Sequence, residues 1–210
     1  MRIRISYNKE KEIRFTSALD MHAIWERSFR RAGINILYSQ GFHPKPRIQL
    51  GLPLPLGLIS KNEIVDVWVN ENRRPEEIND LLRTKLPDGM KIISTKEIPA
   101  NEKPLVSQIQ ASTYNVSFFD KDISKSVLTE AVEKVLNAEK IFRVKRNGKQ
   151  YDLRPLINCL ELIEKEDQSL FLLMNLVSKA NATGRADEVV KALGYSISEV
   201  LIERISYTYV

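Results

Sequence analysis

The sequence predicts an α+β protein built of two tandem ferredoxin-like (β-α-β-β-α-β) halves, and three observations carry that prediction. Hydrophobic periodicity over residues 1–98 switches between strand and helix in the order β-α-β-β-α-β. Residues 108–210 repeat the order with almost no residue identity. Between them, residues 99–107 bring two prolines and mostly polar side chains and read as a linker.

Taken in order, residues 2–7 (RIRISY) alternate as a strand, and 12–15 continue it after a polar break. Ser17 is a helix N-cap, and Asp20 three residues on completes an S-x-x-D capping box. The helix runs to Ala32 with Met21, Ile24, Trp25, Ser28 and Ala32 on its inner face, and Gly33 stops it. Arg27, Arg30 and Arg31 cluster on the outer side at i, i+3, i+4 spacing. Residues 47–52 and 63–69 (EIVDVWV) are strands. Pro75 opens a helix where its missing N–H costs nothing, with Ile78, Leu81, Leu82 and Leu86 inward. Residues 90–98 close the half as a strand.

In the second half, 108–119 is a strand and 124–137 a helix with Val127, Leu128, Ala131 and Val135 inward. Asn147-Gly148 joins 139–145 and 149–153 as a hairpin. Strands follow at 156–164 and 170–178. A short helix from Thr183 or Gly184 to Leu193 and the alternating strand 200–210 complete the repeat. Cys159, the only cysteine, sits in an apolar run and reads as a small core residue, so neither a disulfide nor a thiolate metal cluster can form within the chain.

Both halves carry an insertion between their first helix and second strand. In the first it is the loop 38–46, which opens a stretch, residues 38–57 (YSQGFHPKPRIQLGLPLPLG), holding four prolines and three glycines in twenty residues. The prolines fix φ and stiffen the segment. It presents Tyr38, Phe42, His43, Lys45 and Arg47, with Arg14 just before the neighbouring helix. In the second, Lys145, Arg146 and Lys149 surround the hairpin turn and Tyr151, Asp152 and Arg154 follow in YDLRP. In a pseudo-twofold repeat the two insertions face one cleft, with Asp152 holding Arg154 by a charge-assisted pair. Asp152 and Asp20 are the carboxylates placed to act as a general base. His22 reads as a structural histidine.

Net charge is +5 and the pI near 9.2, a balance that raises nucleic acid as a partner. Cations along a backbone path and rings for base stacking are the elements with which single-stranded RNA is bound. No P-loop, G-x-G-x-x-G, H-E-x-x-H or nucleophile elbow is present, so no metal or cofactor is expected. The alternating N-terminus has no hydrophobic signal core and no apolar run approaches the ~20 residues of a membrane span, which predicts a cytoplasmic protein without a membrane anchor.

The stretch 13–57 resembles the radical-SAM-linked protein family, a bacterial domain of unknown function found alone or C-terminal to cobalamin-type radical SAM proteins. R-F-x-S-x-L-D from Arg14 to Asp20, the R-A-G helix end at Arg31, Y-S-x-G-F-x-P-x-P from Tyr38 and L-P-L-G ending at Gly57 carry the resemblance. YDLRP from Tyr151 and GRADEVVKALG from Gly184 extend it. The resemblance implies a radical SAM protein as partner and a setting in RNA metabolism. The chain itself lacks the C-x-x-x-C-x-x-C cluster of such enzymes. The expectation is therefore an RNA-binding or adaptor module. A cofactor-independent RNA-modifying or RNA-cleaving enzyme and a pure protein-interaction subunit are the alternatives.

Overall fold

The computed structural model describes residues 1–70, 73–120, 122–145, 147–167, 169–179 and 181–210. It is mixed α+β, with mostly antiparallel strands, and divides into two compact units, Met1–Gln108 and Ile109–Val210. No described helix is long and apolar enough to cross a membrane.

The first unit runs β1 (Arg2–Lys9), α1 (Ala18–Arg31), β2 (Ile48–Leu50), β3 (Ile59–Trp68), α2 (Pro75–Arg83), β4 (Ile92–Ile98) and a single turn α3 (Leu105–Gln108). Its sheet has the order β4-β1-β3-β2, antiparallel throughout. Strand alternation sends Ile3, Ile5 and Tyr7 of β1 and Val65 and Val67 of β3 to the helical side. There they pack with Met21, Trp25 and Phe29 of α1 and Ile78 and Leu82 of α2. Tyr7 meets Trp25 edge-on at 4.9 Å between ring centroids. Phe29, absent from the sequence-based face, lies one turn beyond Trp25 and is fully buried.

The opposite face of β1 holds charge rather than apolar bulk. Arg2 and Arg4 converge on Asp66 of β3, all three buried. Arg4 Nε donates to Asp66 Oδ1 at 2.8 Å and Arg2 Nε to Oδ2 at 3.1 Å. Arg2 also donates to the carbonyls of Glu102 and Lys103, and Arg4 to Gln108 Oε1. Residues 99–107, expected as a linker, thus contribute acceptors to this cluster, and Leu105 is fully buried. Residues 12–15 do not continue β1: Lys11–Ile13 form a 3-10 turn, in which the N–H groups of Ile13 and Arg14 bond the carbonyls of Glu10 and Lys11 instead of a neighbouring strand.

The second unit runs β5 (Ile109–Phe118), α4 (Lys125–Asn137), β6 (Phe142–Val144), β7 (Gln150–Asp152), β8 (Ile157–Glu164), β9 (Leu170–Lys179), β10 (Ala182–Thr183), α5 (Ala186–Ala192) and β11 (Val200–Tyr209). β8 and β10 pair with β9, which continues to β5 and β11; β6 and β7 form a separate hairpin. Numbered by main elements, the strands within each unit have the order 4-1-3-2. Leu128, Val132 and Val135 of α4 and Leu172, Met174 and Leu176 of β9 are buried. Val127, expected inward, is 55% exposed, because it lies about 100° around the helix from Leu128. Cys159 is exposed rather than buried. A register shift between Ile157 and Cys159 turns the β8 side chains over at that point. At Gly184 an added Cβ would stand 2.8 Å from the Leu156 carbonyl oxygen, so the backbone approaches there as only glycine permits.

Candidate nucleic-acid interface

In the first unit α1 ends in a Schellman turn: Ile34 N–H donates to the Phe29 carbonyl at 3.0 Å and Gly33 N–H to Arg30 at 3.1 Å, with Gly33 at φ 69°. The chain then runs extended beside β3. Leu37 N–H donates to the Trp68 carbonyl at 2.7 Å, while the Leu37 carbonyl accepts from Arg47 N–H at 2.8 Å. Residues 38–47 form a pinched loop on this base. Tyr38 pairs with Pro46 across it, and Ser39 bonds Lys45 both through its N–H and through its hydroxyl.

The loop holds its functional side chains outward. Phe42 is fully exposed at the tip, Tyr38 is half exposed, and His43, Lys45 and Arg47 are exposed. The Arg47 guanidinium lies 4.6 Å from the Trp68 ring centroid, and Arg2 lies 5.1 Å from the same ring. On α1, Arg27 and Arg30 are exposed and have no hydrogen bond or ion pair among the described residues. Arg31 is different. Its guanidinium donates to the Lys85 carbonyl at 2.6 Å and to Ser28 Oγ at 3.2 Å, tying α1 to the end of α2.

Arg14 lies over the Phe15 ring at 4.7 Å, and its carbonyl accepts from Gly57 N–H. Asp20 caps α1. Its carboxylate accepts from Ser17 Oγ at 2.6 Å and from Ser17 N–H at 3.3 Å, and Asp20 N–H returns to Ser17 Oγ at 3.1 Å. The Ser17 bonds, then Arg27, hold this carboxyl below its ordinary value, the opposite of what a general base at neutral pH requires.

In the second unit the comparable cations turn inward. Arg154 donates through Nε and a terminal nitrogen to the Leu136 carbonyl at 3.1 and 2.9 Å and to the Ile157 carbonyl at 3.2 Å, closing the end of α4. The expected Asp152–Arg154 charge pair is not made. Asp152 Oδ1 instead accepts the main-chain N–H of Ile141 at 2.8 Å and of Arg154 at 3.0 Å, an Asx-type staple at the base of the hairpin. Lys145 and Lys149 are exposed at the turn, and Lys145 Nζ sits 5.5 Å from the Tyr151 ring centroid. Arg146 lies outside the described residues. Burial foremost, then Glu188 and Asp187, raises the Tyr151 phenol above its ordinary value, against Arg185 and Arg143.

Four features escaped sequence reading. Glu26 lines the first unit's groove with Arg30, at an i, i+4 spacing carried by the run 26–30 (ERSFR). Trp68 was read only as a strand residue. Arg143 pairs with Glu188 at 3.5 Å, and Arg185 with Asp187 at 2.5 Å, at the start of α5. No grouping of His, Cys, Asp and Glu able to hold a metal occurs among the described residues.

Residues 2–186 match the family described as "Uncharacterized protein conserved in bacteria (DUF2344)", and the chain belongs to that family. No curated protein matches it. Among solved structures it is similar to a chain of a Cbf5-Nop10-Gar1 complex at 8% identity and a TM-score of 0.49, over 98% of this chain and 48% of that one. This chain thus spans about half the length of that relative. It is similar also to the first two RRM domains of yeast poly(U) binding protein (Pub1), at 11% identity and a TM-score of 0.23, over 96% and 98% of the chains. A glycine cleavage system transcriptional repressor aligns at 9% identity and a TM-score of 0.24, over 100% and 96%.

Proposed function

We propose that this DUF2344-family chain is a single-stranded RNA-binding module built of two tandem ferredoxin-like units. The shared strand order 4-1-3-2 in each unit supports the duplication. The observation that carries the RNA reading is the outward set Arg27, Arg30, Tyr38, Phe42, His43, Lys45 and Arg47. Its cations, unlike Arg31 and Arg154, make no hydrogen bond from the side chain that the fold requires. A fully exposed phenylalanine between cations gains nothing for the fold, but it is a stacking platform for an unpaired base. Lys145 and Lys149 supply further phosphate contacts from the second unit. The reading places the protein in the cytoplasm.

Its test is fluorescence anisotropy of a labelled single-stranded RNA at low salt, with Phe42→Ala beside the parent chain. Binding that weakens in the variant without a change in melting temperature supports the reading. Absence of binding to any RNA removes it.

The resemblance to radical-SAM-linked proteins adds a protein partner, and one feature favours a docking role as well. Phe15 and Leu19, at the start of α1, and Leu56 are exposed, with the Arg14 guanidinium over the Phe15 ring. Phe15 lies against Gly57, 3.7 Å from where a Cβ would stand. Apolar docking there keeps its affinity as salt rises, whereas binding through phosphates weakens steeply.

A further inference from the structure

We propose that the groove between α1 and residues 33–38 holds one guanine base of the bound RNA, an inference that rests on the RNA-binding reading above. The groove has a volume of about 290 Å³ and is walled by Glu26 and Arg30 on one side and by residues 33–36 and Tyr38 on the other. That is just under the roughly 300–1,000 Å³ of small-molecule sites, a size for one base rather than a peptide strand.

Two observations concern what the groove leaves unsatisfied. Glu26 and Arg30 stand at i, i+4 with the acid first, the arrangement that ordinarily closes an ion pair on a helix. Among the described residues they make none with each other, and the Arg30 guanidinium makes no hydrogen bond or ion pair. Glu26 is instead held by Tyr38, whose hydroxyl donates to Oε1 at 3.3 Å. The second observation is the main chain. Leu37 directs its N–H to Trp68 and its carbonyl to Arg47, so the flanking Ile36 and Tyr38 turn theirs the other way. Both residues line the groove, and the N–H and C=O of neither has a partner among the described residues.

A carboxylate only accepts hydrogen bonds. Guanine offers N1–H and the N2 amino group side by side on its Watson–Crick edge, two donors for two carboxylate oxygens. Uracil flanks its single N3–H with two carbonyl oxygens. Adenine and cytosine set an acceptor nitrogen beside their one amino group. Each of these three puts a lone pair against Glu26. Single-stranded RNA leaves this edge open to protein. The half-exposed Tyr38 ring offers a face for stacking, the unpaired N–H groups of Ile36 and Tyr38 are donors for O6, and Arg30 is a cation for the adjoining phosphate.

The test uses the full chain and fluorescein-labelled uridine octamers carrying U, A, C or G at one central position. The expected result is a preference for the G oligomer of roughly 5- to 150-fold, the range of one good bidentate base contact. Glu26→Gln replaces one acceptor by a donor and abolishes the preference. Tyr38→Phe keeps the ring, removes the hydroxyl that holds Glu26, and reduces it. Four oligomers bound equally, with the steep salt dependence intact, overturn the guanine site and leave the RNA reading standing. Binding of no oligomer overturns both.

Discussion

The loop 38–47 and the segment 145–154 carry much the same side chains, cations beside an aromatic ring, yet the fold uses them in different ways. In the first, the side chains of Lys45 and Arg47 take no part in the loop's hydrogen-bonded base, which is closed by main-chain groups, their own included, and by Ser39. In the second, Arg154 is needed by the carbonyls of Leu136 and Ile157, and Asp152 by two main-chain N–H groups. The difference lies in the backbone. The Schellman turn at Gly33 satisfies the carbonyls at the end of α1, whereas α4 ends at Ala138 in extended conformation and borrows a guanidinium. A cation is available to a ligand where the main chain has already closed its own bonds.

The cations that the fold keeps to itself carry the largest expected effects. Asp66→Ala leaves Arg2 and Arg4 buried around an empty acceptor, and loss of one partner from a buried ion cluster costs about 3–5 kcal/mol. Urea unfolding measures it; a loss under about 1 kcal/mol would mean that water reaches the cluster. Arg154→Ala comes next. It strips two carbonyls of a charged donor, and the expected loss is about 1.5–3 kcal/mol by the same method. An unchanged midpoint would return Arg154 to the ligand-binding set and break the contrast.

Ser17→Ala is smaller, about 0.5–2 kcal/mol, as for other helix caps. It also has a pH signature. Because the Asp20 carboxyl is lowered in the folded state, its contribution is complete above the ordinary carboxylate range near 4 and is lost as pH falls through the folded value. The parent chain should therefore lose stability on acidification more steeply than Ser17→Ala, a difference that thermal melts across pH 2–5 read directly.

Which features could be read from the sequence follows from how local they are. The Ser17–Asp20 box spans three residues, and the alternation of β1 and β11 is carried within each strand, so spacing alone shows them. Arg2 and Arg4 meet Asp66 only through a cross-strand register joining residues more than sixty apart, and no local pattern contains it. Cys159 is exposed because a one-residue register shift reverses the strand's faces, which apolar composition cannot reveal. Arg154 looked like a ligand because charge is written in the sequence and an unpaired carbonyl is not.

The most direct measurement compares salt dependence of single-stranded RNA binding for Arg27→Gln/Arg30→Gln and for Arg154→Gln, each at a temperature where it is folded. The double variant should flatten the slope of log affinity against log salt by up to about 1.4, roughly 0.7 for each phosphate that is no longer neutralised on a single strand. Arg154→Gln should leave the slope unchanged. A flattened slope for Arg154→Gln, with the double variant unaffected, would contradict the account.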